Sequence, residues 1–165
     1  MMEDDSQERV FEECKRNVKE QAYFMHKALE EFNLRAGLKH SANMLDALRT
    51  SELSPKNYYM IFMQVFDELQ ALEKHFREEY RRGRKLPHLY ESVQHANNVL
   101  PRMYLLITVG SVYIASKDIP AKTILNDLSE MIKGVQHPIK GLFIRYYLLK
   151  ICKDKLPDID SQYEG

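Results

Sequence analysis

The sequence predicts an all-α fold, and three observations carry that prediction. Apolar residues recur at intervals of three and four along most of the 165-residue chain, the period of helices with one buried face. No segment alternates apolar and polar residues strictly enough for a half-buried strand. The stretch Leu100 to Ser116, LPRMYLLITVGSVYIAS, carries no charge after Arg102 and is apolar on every side, so it must be enclosed by protein or by lipid. It falls short of the roughly 20 apolar residues that span a bilayer and contains Thr108, Gly110 and Ser111. The expectation is therefore a buried central helix. Short links between about seven helices favour stacked antiparallel pairs, in a bundle or an α-solenoid. Periodicity alone leaves that choice open.

The elements follow in order. Phe11, Cys14, Val18, Ala22, Met25, Leu29 and Phe32 form one stripe, an amphipathic helix from about Ser6 to Glu31. Asn33 to Gly37 reads as a break, and Leu38, Ala42, Leu45 and Leu48 mark a short second helix. Ser54-Pro55 is an N-cap followed by a first-turn proline. It opens a long helix whose stripe runs from Tyr58 through Phe76 to Tyr80 and which stops at Gly83. A fourth helix carries Leu86, Leu89, Tyr90 and Val93 to about Asn97, and the apolar fifth follows. Pro120 opens a sixth that ends near Gly134, and His137-Pro138 opens a seventh closed by Pro157. The folded segment is thus 1–157, with a polar, frayed tail over 158–165.

Composition narrows the function. One chain of this length is ordinarily one domain with a real core. Its 24 basic and 24 acidic side chains balance, so no global field draws it to nucleic acid or to an anionic membrane. Cys14 and Cys152, far apart on apolar helical faces, make no disulfide framework and read as reduced core thiols of a cytosolic protein. The N-terminus MMEDDSQERV is acidic and polar, unlike a secretory or mitochondrial leader.

Catalytic constellations are not found in the sequence. His26, His40, His75, His88, His95 and His137 include no i,i+4 pair and no Glu-x-x-His, the spacings of helical metal sites. Glu91 and His95 share a helix face but are two ligands at most, and read as a surface polar pair. Gly110-Ser111 is no nucleophile elbow, and no phosphate-cradling loop occurs. The expectation is a protein without cofactor or metal, and not an enzyme. The cluster Arg81-Arg82-Gly83-Arg84-Lys85 reads first as cations completing a helix C-terminus. Tyr58-Tyr59-Met60 places large side chains on more than one face of the third helix, so a second face is expected to be covered by another helix or by a partner.

Pro101 and Arg102 are the most specific local feature. Proline suits the first helical turn, but a permanent cation beside it faces the positive end of the dipole, unfavourable by roughly 0.3–1 kcal/mol when exposed. A nearby anion or carbonyl is expected to offset it.

The segment LYESVQHANNVLPRMYLLITVGSVY, Leu89 to Tyr113, resembles the hallmark of the large retromer scaffold subunit, the vacuolar protein sorting-associated protein 35 family. LRTSELSPKNYY (Leu48 to Tyr59), GRK (Gly83 to Lys85) and GVQHPIKGLFIRYYLL (Gly134 to Leu149) agree in order, from about Leu38 to Pro157. The core is Pro101, Arg102, Met103, Tyr104 and Leu105. Where the family commonly has Leu this chain has Met103, a swap that should cost under about 1.5 kcal/mol even when buried.

The resemblance implies a HEAT-like α-solenoid and a non-enzymatic scaffold. Its N-terminal end would dock the arrestin-like retromer subunit through the Pro101–Leu105 segment. A phox-homology sorting nexin and a late-endosomal Rab GTPase would be further partners, with membrane contact only through them. It would work on endosomes, returning receptors to the Golgi or the plasma membrane. Family members are several times longer, so the chain could also be a fragment or truncated copy that occupies the partner without assembling the whole complex. Tyr104, Leu105 and Tyr113 are expected in the core. Arg102 is expected to bond carbonyls or a carboxylate of a neighbouring helix and so to shape the docking surface, in preference to touching the partner itself.

Overall fold

Where each helix starts and stops follows from its end residues. The computed structural model describes residues 2–155, with side chains from residue 5. Seven helices succeed one another: α1 (Met2–Glu30), α2 (Leu34–Leu45), α3 (Pro55–Arg81), α4 (Leu86–Val93), α5 (Val99–Ser116), α6 (Ala121–Ile132) and α7 (Pro138–Cys152). Short 3₁₀ turns follow α2 (Asp46–Arg49) and α7 (Lys153–Lys155). No strand occurs among the described residues, and the all-α expectation holds. Pro157 and the tail over 158–165 lie outside the described residues.

α1 ends in paired reverse bonds, Asn33 N–H to Ala28 O (2.9 Å) and Phe32 N–H to Leu29 O (3.1 Å), the Schellman arrangement. It requires a left-handed residue, and Phe32 takes that position with φ 57° although it is not glycine. The Arg82 guanidinium lies 4.2 Å from the Phe32 ring centroid, a cation–π contact that offsets part of the cost. Asn33 then caps α2, its Oδ1 accepting from Ala36 N–H at 3.1 Å. The break is therefore shorter than the Asn33–Gly37 expected from sequence. Gly37 lies inside α2, where a Cβ would stand 2.7 Å from Leu29 Cδ2, so this glycine marks close helix packing and not a turn.

α3 begins as expected, with Ser54 Oγ accepting from Asn57 N–H (3.2 Å) and Pro55 in the first turn. It ends in a second Schellman arrangement, Arg84 N–H to Glu79 O and Gly83 N–H to Tyr80 O, both 3.0 Å. Gly83 supplies the φ of 103° that this geometry needs. Around it, Arg81–Lys85 is exposed, with Arg84 Nη1 3.3 Å from Glu79.

α5 is the axis of the molecule: α2, α3, α4, α6 and α7 all pack against it. The full helix Val99–Ser116, with mean hydropathy 1.4, is long and apolar enough to cross a membrane. Its length alone therefore does not exclude a span, contrary to the sequence argument. Its surroundings decide, because 61% of it is buried in the fold. Thr108 and Ser111 inside it are paired. Thr108 donates to Tyr104 O (2.8 Å), Tyr147 OH meets Thr108 Oγ1 at 2.6 Å, and Ser111 donates to Thr108 O (2.7 Å). Gly110 admits α6: a Cβ there would stand 2.7 Å from Leu128 Cδ1.

Cys152 is buried and Cys14 half-buried, both free; burial pushes the Cys152 thiol up to about 11 and raises Cys14 as well. Tyr58 is buried, donating to Leu48 O at 2.8 Å, and its ring meets Phe143 of α7. Tyr59 and Met60 remain about half exposed, so α7 covers the second face of α3 only in part.

Candidate docking surface

The Pro101–Leu105 segment is best understood from the linker before it. α4 stops at Val93, four residues short of the Asn97 expected from sequence. Pro101 explains part of this, because a helix through Asn97 would need the N–H of residue 101 for the Asn97 carbonyl, and proline has none. Arg102 replaces the missing donors. Its Nε donates to Ala96 O at 3.0 Å and its Nη2 to Asn97 O at 3.4 Å. Asn98, the N-cap residue of α5, turns its side chain away and donates to Asp46 Oδ1 at 2.9 Å, tying the linker to the end of α2.

The carbonyls expected to offset the Arg102 charge are thus present. They belong to the α4–α5 linker and not to a neighbouring helix. Arg102 is half-buried, and hydrogen bonds from a charged donor contribute about 1.5–3 kcal/mol. The other four residues divide. Pro101, Tyr104 and Leu105 are buried, and Met103 is partly buried against the core. Tyr104 is fully enclosed, its ring 5.2 Å from that of Tyr147 and its hydroxyl without a hydrogen-bond partner; burial raises its pKa well above the usual phenol value. Tyr113 is only partly buried, with its ring edge-on to Tyr90.

The linker that Arg102 holds forms one wall of a groove of about 1100 Å³ between α2 and α4. Leu34, Leu38, Ala42, Val93 and Leu105 give it an apolar floor. Leu105 thus contributes an edge to the groove although it is almost wholly buried. Arg35, Lys39, Arg84, His88 and His95 stand at the rim, with Glu91 the acidic group among them. Glu91 and His95 are exposed and form no ion pair with one another.

Sequence reasoning singled out α5 and missed the α2 side of this groove. The signal was available, since Arg35 and Lys39 are four apart on a helix whose buried face carries Leu34 and Leu38. The remaining histidines are dispersed. His26 lies 2.5 Å from Glu68, His40 meets Gln21, and His137 caps α7. His75 is 3.5 Å from Glu79, its pKa lowered chiefly by burial. Among the described residues, no group of three His, Cys, Asp or Glu side chains is placed to hold a metal. What the arrangement offers is an apolar floor with a mostly cationic rim.

Comparison with known proteins gives the lineage. The sequence matches the family described as "Vacuolar protein sorting-associated protein 35" across residues 10–165. The chain belongs to that family. It is 58% identical over 148 residues to vacuolar protein sorting-associated protein 35B of Arabidopsis thaliana, covering 90% of this chain and 19% of the relative. The Dictyostelium discoideum protein is 53% identical over 162 residues, 98% of this chain and 21% of that protein. The Schizosaccharomyces pombe protein is 37% identical over 150 residues, 90% of this chain and 18% of that protein. The chain therefore spans about a fifth of the length of these vacuolar protein sorting-associated protein 35 relatives. The first helix, which precedes the matching blocks from about Leu38, lies largely within the family match from residue 10.

Proposed function

We propose that this chain is a non-enzymatic scaffold segment of retromer that docks the arrestin-like subunit. Membership of the vacuolar protein sorting-associated protein 35 family supports the scaffold role. The observation that carries the docking reading is the pair of bonds from Arg102 to the carbonyls of Ala96 and Asn97. These make the Pro101–Leu105 segment the frame of an accessible groove. Pro101 removes a helical donor, Arg102 fixes the wall, Met103 and Tyr104 seat α5 in the core, and Leu105 reaches the groove floor.

In this reading Arg102 is a positioning residue and the partner contacts fall on the groove and its linker. A phox-homology sorting nexin and a late-endosomal Rab GTPase are further partners. The segment is cytoplasmic, reaches endosomal membranes through these partners, and serves endosome-to-Golgi and endosome-to-plasma-membrane transport.

Calorimetric titration of the chain with the arrestin-like retromer subunit tests this. Saturable 1:1 binding is expected, weakened in Arg102→Ala together with a lowered thermal midpoint in circular dichroism, because the two bonds to the linker are lost; weakened binding at unchanged thermal stability would make Arg102 a direct contact instead. A well-folded wild-type chain that does not bind would overturn the docking reading.

A further inference from the structure

We infer that the groove between α2 and α4 seats an extended acidic segment of a partner protein, an aliphatic side chain on its floor and carboxylates along its rim. The inference rests on the docking reading for the placement of a partner at this face, and on the groove itself for the partner's chemistry.

The floor sets the first requirement. Leu38, Val93 and Leu105 approach from three elements, and Ala42 gives depth where a larger side chain would fill it. At about 1100 Å³ the groove exceeds what one side chain occupies and lies at the upper end of small-molecule sites, which run to about 1,000 Å³. An apolar anchor flanked by further residues suits it.

The rim sets the second requirement. Arg35 and Lys39 are exposed on one face of α2 and form no ion pair among the described residues. Arg84 adds a third cation, shared with Glu79 at 3.3 Å, and Glu91 is the opposing charge at the groove. The chain as a whole is neutral, so this excess is local. The groove runs along α2 from Asn33 to Asn43, so that one end of it reaches the helix N-terminus, where the dipole is positive. Arg102 already takes the carbonyls of Ala96 and Asn97, which withdraws two acceptors that would repel a carboxylate. A basic segment would face two free cations, and an inorganic anion would gain nothing from the floor.

Selection from a random peptide library displayed on phage, with the full chain as bait, tests the inference. The expected outcome is enrichment of peptides with Asp or Glu flanking a Leu, Ile or Val. A synthesised winner, titrated by fluorescence anisotropy, should bind roughly tenfold or more weakly to the double variant R35E/K39E. It should also weaken as salt is raised. Ala42→Trp, which fills the floor without changing a charge, should weaken it comparably.

Enrichment of basic or neutral peptides would overturn the inference, as would no enrichment, or equal binding by wild type and R35E/K39E. A concentration-dependent dimer lost in R35E/K39E would place a second copy of this chain in the groove, which also overturns it. Titrating R35E/K39E with the arrestin-like subunit separates the two readings. Binding to that subunit unchanged by the double variant removes the groove inference and leaves the docking reading standing. No binding of the subunit to wild type removes the docking reading, and the peptide selection still decides the groove.

Discussion

Neither α5 nor α7 presents a continuous polar face, since Arg102 is the one charge of α5 and the cations of α7, Lys140, Arg145 and Lys150, are spread around the helix, yet the two meet different fates. α5 is wrapped by α2, α3, α4, α6 and α7, and its polar groups Thr108 and Ser111 are paired internally. α7 buries Ile144, Tyr147, Leu148 and Ile151 on one side but leaves Leu142, Tyr146 and Leu149 exposed at 54%, 43% and 70%. The same pattern thus produces an enclosed axis in one place and an open apolar face in the other. A helix without a polar face requires cover, but its sequence does not say whether the cover lies within the same fold. For α5 the cover is present; for the outer face of α7 no described residue provides it.

The contrast is broken most severely in the centre. Tyr104→Ala removes a fully enclosed ring and should cost about 3–5 kcal/mol, read as a lowered urea midpoint. Leu149→Ala, at the other extreme, should change stability by no more than about 0.5 kcal/mol in the same titration. Gly110→Ala drives a methyl toward Leu128 and should cost about 1–3 kcal/mol as overpacking, with α6 loosening first in hydrogen exchange.

Alkaline titration sharpens the same comparison. Burial raises the folded-state pKa of Cys152 to about 11 from the ordinary thiol value of 9.0. The folded protein therefore holds a proton that the unfolded chain releases. Its contribution to stability is complete below pH 9.0 and is lost as pH rises through about 11. In Cys152→Ala that part of the alkaline loss should be absent from denaturation curves measured across the window. The smallest effect concerns the open face. The triple variant of Leu142, Tyr146 and Leu149 to Ser should keep wild-type helicity, while light scattering shows less self-association than wild type at high concentration. An equally associating triple variant would mean that another surface is responsible.

Much of the fold was legible because local chemistry and tertiary packing agree. Ser54-Pro55, Gly83, Pro120 and His137-Pro138 mark ends that the structure keeps, and the stripes of α1 and α3 are mostly buried as their spacing requires, with Cys14 and Tyr80 partly buried and Phe32 exposed. The errors arose where one residue type serves two purposes. Gly37 resembles a breaker but accommodates Leu29, and Phe32 holds a left-handed turn usually given to glycine. The α4 boundary was misplaced because Ala96 and Asn97 satisfy their carbonyls through a side chain beyond the turn, on Arg102, a pairing no helical period encodes. Half of the candidate site was readable for the same reason. Arg102 stands out as a cation at a helix start, whereas the groove exists only once α2 and α4 are both packed on α5.

Hydrogen exchange of the chain, free and bound to the arrestin-like subunit, tests the central claim most directly. Docking at the groove predicts slower exchange over the α4–α5 linker, residues 94–98, and over the N-terminal half of α2, with the outer face of α7 unchanged. Protection confined to α7, or none over the linker when the subunit is bound, would contradict it.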